Sequence, residues 1–153
     1  MKKKGILHKD LCALVAELGH GDMIVVCDAG FAIPKGTKRI ELAVEKDCPT
    51  VLRILELLRE ELIIERYALA DEIREVNPVM LRKYREVYAG LKVQETFVPH
   101  EKLAGEIAER AKAVIRTGSF QPYGSIALYP AIDAPKWYRA EGVKVPEFYR
   151  GRV

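Results

Sequence analysis

Apolar side chains recur at helical spacing at Leu11, Leu14, Val15 and Leu18, which predicts a short amphipathic helix capped by Asp10 and stopped by Gly19. The period then changes. Met23-Ile24-Val25-Val26 is a continuous, β-branched run, the mark of a strand buried on both faces. A loop follows, punctuated by Gly30, Pro34 and Gly36, and residues 39–44 alternate polar and apolar as a second strand does. Val51, Leu52, Ile54, Leu55, Leu58 and Leu62 form the broad apolar face of a helix that opens at Pro49 or Thr50. Residues 63–70 read as a strand, with helix as the alternative. Asn77-Pro78 joins a capping side chain to a proline suited to the first helical turn, so a helix runs from there to Ala89, ended by Gly90. Beyond it the pattern predicts a strand at 96–98, a helix at 101–111, a strand at 113–117, a turn at 118–121 and a last strand at 126–129.

Strands alternate with helices, so residues 1–129 are expected to form one layered α/β domain with a central, mostly parallel sheet flanked by helices. From Pro130 the character changes. Prolines at 130, 135 and 146 break regular structure, while Trp137, Tyr138, Phe148 and Tyr149 add aromatic surface. Residues 130–153 therefore read as an extended tail lying against its own domain or a neighbouring subunit.

The bulk numbers narrow the classes. A length of 153 residues suits a single domain, and 49% hydrophobic with 31% charged residues is the composition of a soluble folded chain. The net charge of +3 is small, and acidic and basic residues interleave over 53–85, the pattern of a solvated helix face rather than of a nucleic-acid surface. No window reaches transmembrane length, and Lys9 and Asp10 interrupt what would follow a signal-like Met1-Lys2-Lys3-Lys4. Three cysteines without a CxxC pair argue against a disulfide framework or zinc ribbon and for a reducing, cytoplasmic compartment. Dinucleotide, P-loop, nucleophile-elbow and EF-hand signatures are all missing, so neither cofactor nor metal is expected.

A few polar residues remain as candidates. His20 stands at the entry of the first strand and Asp28 just past its exit. His20 either satisfies carbonyls at a helix end or moves protons. Asp28 either forms a turn before Ala29-Gly30 or faces a ligand at the carboxyl end of a strand, where open α/β sheets bind them. His100 follows Pro99 at a strand-to-helix junction, as an ordinary first-turn residue or as a ligand group. Pro122-Tyr123-Gly124-Ser125 precedes the last strand; Tyr123 there is either a packing anchor or a ring and hydroxyl offered to a sugar, with the backbone at Gly124 open to close approach. This inventory suits proton transfer on a neutral polar molecule.

Five motifs in order, Leu18-Gly19-His20-Gly21-Asp22, Val25-Val26-Cys27-Asp28-Ala29-Gly30, Ile33-Pro34-Lys35, Ala113-Val114-Ile115-Arg116-Thr117-Gly118 and Pro122-Tyr123-Gly124, resemble the D-ribose pyranase family. Its wider superfamily includes the L-fucose mutarotases. The similarity runs over residues 3–128. It implies an isomerase that interconverts pyranose and furanose forms of a free monosaccharide, in a homo-oligomer of ten subunits built as two stacked pentamers, with sites where subunits meet. By the same resemblance His20 matches the catalytic proton donor, Asp28 and His100 match sugar-binding residues, and Tyr123, Gly124 and Ser125 match a tripeptide that a neighbouring subunit contributes. The sequence departs from the family pattern at four places. Ser125 replaces an asparagine, Ser119 replaces a glutamate, one residue is added between His100 and Arg116, and the tail is longer. The alternatives to a pyranase are a non-catalytic sugar-binding or transport-accessory protein, an L-fucose-type mutarotase, or an oligomer whose tail serves assembly alone.

Overall fold

The computed structural model describes residues 1–153. Helix α1 (Lys9–Glu17) leads through a tight turn into β1 (Ile24–Cys27). Then come β2 (Arg39–Glu41), α2 (Val51–Glu61), β3 (Ile64–Ala70), a single turn α3 (Ile73–Val76), α4 (Pro78–Val87) and β4 (Gln94–Val98). One continuous helical segment follows, made of α5 (His100–Lys102), a π-helical stretch (Leu103–Ile107) and α6 (Ala108–Arg110). Strands β5 (Ala113–Arg116) and β6 (Ile126–Pro130) complete the sheet. The six strands lie in the order β2-β5-β1-β6-β3-β4. Pairs β1/β5, β2/β5 and β3/β4 are parallel, and β6 alone runs against its neighbours β1 and β3. The mostly parallel layered sheet read from the pattern is thus present, with one reversed strand at its centre. Residues 63–70 resolve to strand rather than helix.

Strand β1 explains why the middle of the sheet is dry. Ile24 and Val26 face one way, into a cluster with Leu11, Leu14, Leu55 and Leu58 from α1 and α2 and with Tyr84 from α4. Val25 and Cys27 face the other way, against Leu103, Ile107 and Ala108 of the helical segment after β4. All four strand residues have no accessible surface. Burying such side chains is worth about 1.5–3 kcal/mol each, and this holds both helical layers to the sheet. Burial of Cys27 also pushes its thiol up to about 12, which keeps it protonated and inert.

Local chemistry corrects several boundaries. The α1 cap is His8, whose Nδ1 accepts from the Leu11 backbone at 3.3 Å, while Asp10 lies inside the first turn. Gly19 does not terminate α1 by a left-handed turn. The chain leaves the helix extended at Leu18, and the positive φ of +93° falls on Gly21. Strand β2 stops at Glu41, three residues short of the expected end. Thr50 and Asn77 cap α2 and α4 through their side chains, as the sequence predicts.

The tail is less extended than its prolines suggest. Ala131 continues the pairing by donating to the Ile63 carbonyl at 2.8 Å, then come a turn of helix α7 (Ala134–Trp137) and a 3-10 turn (Glu147–Tyr149). The tail returns to its own domain through an Arg152–Glu65 ion pair and a bond from Lys92 Nζ to the Gly151 carbonyl.

Candidate functional site

Carboxyl ends of β1, β3 and β4 gather most of the candidate residues at one end of the sheet, as parallel strands of one direction must. Asp28 directly follows β1, and its half-exposed carboxylate is held on both oxygens. Oδ1 accepts from the Gly30 backbone at 2.9 Å, and Oδ2 accepts from the Ser125 hydroxyl at 2.6 Å. Ser125 Oγ in turn accepts from the Asp28 backbone at 3.1 Å, so serine and aspartate are paired twice. Asp28 is therefore a turn former and a site candidate at once. Each carboxylate oxygen accepts one bond here and has a second lone pair for a hydroxyl donor.

The loop after Asp28 is pinned from β5 and its exit. Arg116 donates from Nη2 and Nε to the Ala29 carbonyl at 2.8 and 3.1 Å, and from Nη1 to Glu41 at 3.1 Å. The Ala29 backbone donates to the Ser119 carbonyl at 2.9 Å. Asp28, Gly30, Arg116, Ser119, Phe120 and Pro122 are among the walls of a cleft of about 500 Å³. Ser119 is itself fully buried in this wall, at 1% exposure.

Tyr123-Gly124-Ser125 meets the same end of the sheet from β6. Tyr123 holds φ at +54°, a left-handed value costly for a bulky residue and of the kind found where function constrains a backbone. A Cβ at Gly124 would lie 2.9 Å from the Gln121 carbonyl oxygen, so only glycine fits, and the fully buried Tyr84 donates to the Gly124 carbonyl at 2.6 Å. Burial drives the Tyr84 phenol upward, so it stays a donor.

His100 opens α5 beside this loop. Its ring meets Tyr123 edge-on at 5.2 Å and Phe31 at 6.3 Å. Its backbone amide donates to both carboxylate oxygens of Glu72, at 3.1 and 3.2 Å. Nδ1 of His100 is buried and has no partner, which is unusual for a polar atom and fits a group reserved for a ligand. Glu72 and Arg116 position site residues, yet no spacing in the sequence singles them out. Their roles arise from strands and helices that meet only in the fold.

His20 lies elsewhere. It sits exposed on the turn between α1 and β1, at the amino end of the strand whose carboxyl end carries Asp28. Seven residues separate the two, four of them the strand β1, which alone spans about 13 Å at the usual strand rise. The neighbours of His20, Gly21 and Asp22, line a second cleft of about 600 Å³ with Arg66, Lys102, Arg110 and Lys112. Lys112 fixes this turn. Its Nζ donates to Asp22 at 2.8 Å and to the Glu17 carbonyl at 2.9 Å, and the bond to Asp22 holds that carboxyl below its ordinary value. The one side chain in contact with the His20 ring nitrogen is Tyr149 of the tail, at 3.5 Å. Within one chain, then, Asp28, His100, Tyr123, Gly124 and Ser125 come together and His20 does not join them. No group of three or more histidine, cysteine or acidic side chains is arranged to hold a metal ion.

The chain matches the model of the RbsD / FucU transport protein family over residues 1–132. It is 41% identical over 153 residues, the whole of both chains, to a Streptomyces griseus protein named D-ribose pyranase 1. A Geobacillus kaustophilus D-ribose pyranase is 45% identical over 133 residues, 87% of this chain and 96% of that one. Among solved structures, Bacillus subtilis RbsD complexed with D-ribose superposes with a TM-score of 0.80 at 33% identity, covering 86% of this chain and 98% of that one. A Streptococcus pneumoniae fucose mutarotase in complex with L-fucose shares the fold, with a TM-score of 0.68 at 20% identity over 82% of this chain and 94% of that one. With the family model covering nearly all of the sheet and its flanking helices, this chain belongs to the RbsD / FucU transport protein family.

Proposed function

We propose that this protein is a D-ribose pyranase, an isomerase that interconverts the pyranose and furanose forms of a free monosaccharide, with ribose as its substrate. The observation that carries this reading is the Asp28–Ser125 pair beside His100 and Tyr123, set at the carboxyl end of the sheet in a chain 41% identical over its full length to a D-ribose pyranase. The ribose bound to Bacillus subtilis RbsD adds support for the sugar class. The fucose mutarotase neighbour, at 20% identity, speaks for the fold alone.

Ring interconversion is an isomerisation with no redox change. The anomeric hydroxyl loses a proton, the ring C–O bond breaks, and the ring oxygen gains a proton. The open-chain aldehyde then accepts a different hydroxyl of the same sugar. An imidazole moves protons in both directions near neutral pH, and a positioned acid–base group contributes about 10²–10⁴-fold. His20 takes the proton-transfer role. Asp28 accepts from a sugar hydroxyl while Ser125 holds its carboxylate still, and His100 and Tyr123 hold further hydroxyls.

The separation of His20 from Asp28 supports a site completed between chains. His20 of one subunit meets the Asp28–His100–Tyr123 cluster of a neighbour in a homo-oligomer, taken as a decamer of two pentamers. This division differs from the one the family resemblance implies, in which the neighbour supplies Tyr123, Gly124 and Ser125, because Ser125 already bonds Asp28 and Tyr123 already meets His100 within one chain. Exposed Phe120, Trp137 and Phe148 favour association. Residues 1–129 are the catalytic domain and 130–153 an addition, in keeping with the shorter Geobacillus relative. A cytoplasmic location is part of the reading and rests on three unpaired cysteines.

The test is saturation-transfer NMR of sugar anomeric signals, run over ribose, fucose, galactose and allose. Ribose exchange is expected to accelerate with the protein and to lose that acceleration in His20→Ala at unchanged oligomer mass. Full activity in His20→Ala removes the assignment, and response to a hexose alone removes ribose.

A further inference from the structure

The segment of the tail that contacts His20 lies beyond residue 132, where the family model ends. The Geobacillus kaustophilus protein is matched over 96% of its length by 133 residues of this chain, whereas the Streptomyces griseus protein aligns over all 153. The additional residues end in the segment that approaches His20. We propose that Tyr149 is a positioning residue for the ring-opening reaction, fixing the tautomer and orientation of the His20 imidazole; the inference rests on the role given to His20 above.

The Tyr149 hydroxyl lies 3.5 Å from His20 Nε2. That is long for a hydrogen bond, as catalytic contacts often are before substrate binds. A phenol oxygen accepts from Nε2–H, which the charged ring and the neutral Nε2–H tautomer both carry. When the ring is neutral, Nε2–H donates to the phenol oxygen, which leaves the lone pair on Nδ1. When the ring is charged, Nε2–H donates to the phenol oxygen. In both states Nε2 is occupied by the tail, and Nδ1 is the nitrogen that gains or loses the proton exchanged with the sugar. No other side chain hydrogen-bonds the His20 ring nitrogens, so the tail supplies the one side-chain bond that orients them.

Tyr149 is not a loose end that happens to reach His20. Its ring packs on Tyr138 at 5.3 Å and meets Phe148 edge-on at 5.1 Å. Arg152 sits 5.0 Å over the Phe148 ring and pairs with Glu65 at the start of β3, both side chains being largely buried. Lys92 holds the Gly151 carbonyl. The residues just after the tyrosine are thus latched to β3 and to the turn before β4. The stretch matched by the family model ends before this latch, so Tyr149 tunes the reaction and does not create it.

The test uses the full-length oligomer with Tyr149→Phe, which keeps the ring and removes the hydroxyl. Histidine 15N chemical shifts report the His20 tautomer directly, and ribose exchange gives rate and half-saturation. Wild type is expected to show His20 mainly as the Nε2–H form. Tyr149→Phe is expected to shift it toward a mixture and to lower the exchange rate about three- to tenfold at unchanged half-saturation, the size of one lost hydrogen bond. Arg152→Gln, which unlatches the tail, is expected to reproduce both changes in wild type and to add nothing to Tyr149→Phe. If Tyr149→Phe leaves the 15N shifts and the rate unchanged while His20→Ala abolishes exchange, the inference fails and the reading of His20 survives. If His20→Ala keeps full exchange, both fall together.

Discussion

Ser125 donates to the Asp28 carboxylate at 2.6 Å and accepts from the Asp28 backbone at 3.1 Å, closing a two-bond ring between the end of β1 and the start of β6. The family resemblance leads one to expect an asparagine here. The structure shows what the smaller residue does: a fully buried hydroxyl aims the carboxylate of its own chain. Ser125→Ala is expected to leave the fold intact and to raise the KM for ribose about tenfold, the effect of one lost hydrogen bond to a charged group. Saturation kinetics by NMR exchange measures this.

Tyr84 sets the height of the same loop by donating to the Gly124 carbonyl. Tyr84→Phe leaves a buried carbonyl without a donor. The expected cost is about 1–3 kcal/mol in urea unfolding, with weaker sugar binding, because the backbone at Gly124 is then free to move. Unchanged stability and unchanged KM together contradict the positioning role.

Glu95 bridges two elements, accepting from Arg85 at 2.7 Å and from the Tyr67 hydroxyl at 2.9 Å. The Arg85 bond is the main cause that holds its carboxyl below the ordinary 4.5, partly opposed by burial. A carboxyl depressed in the folded state takes up its proton more readily once unfolded. Its contribution is present above pH 4.5 and is lost as pH falls through the folded value. Thermal unfolding against pH is expected to show an acid limb below that point, flatter in Glu95→Gln.

Cysteine reactivity separates surface from core. Iodoacetamide at mildly alkaline pH is expected to modify the exposed Cys48 and to spare Cys27, whose thiol burial raises to about 12. Mass mapping of native and denatured protein decides it. Native labelling of Cys27 contradicts the two-sided burial of β1.

Much of this architecture is written in local pattern, and the parts that are not have identifiable reasons. Val25-Val26 predicts a strand buried on both faces because both faces must be apolar, and that is where β1 lies. Asn77-Pro78 marks a helix start through capping chemistry that acts within one turn. The direction of β6 is different: alternation and burial are the same for a strand run either way, so its reversal is invisible until the pairing is known. The α1 cap shows local competition, since His8 and Asp10 both precede the apolar face and the imidazole takes the Leu11 amide. The candidate site residues are legible as chemical types, but their grouping is not. Asp28 and Ser125 meet through strand neighbours although 97 residues apart in sequence, and Glu72 and Arg116 reach the site by the same non-local route. The split between His20 and Asp28 was readable in principle, because an extended strand between two residues keeps them apart.

Subunit complementation tests the central claim, that His20 of one chain completes the sugar site of another. His20→Ala and Asp28→Ala chains, each expected to be inactive, are co-expressed with different tags and purified as mixed oligomers. The account predicts that ribose ring exchange returns, to about a quarter of the wild-type rate for random one-to-one mixing, since that share of sites draws both native residues from different chains. Mixed oligomers as inactive as their parents would place both residues in a site made by a single chain and would contradict it.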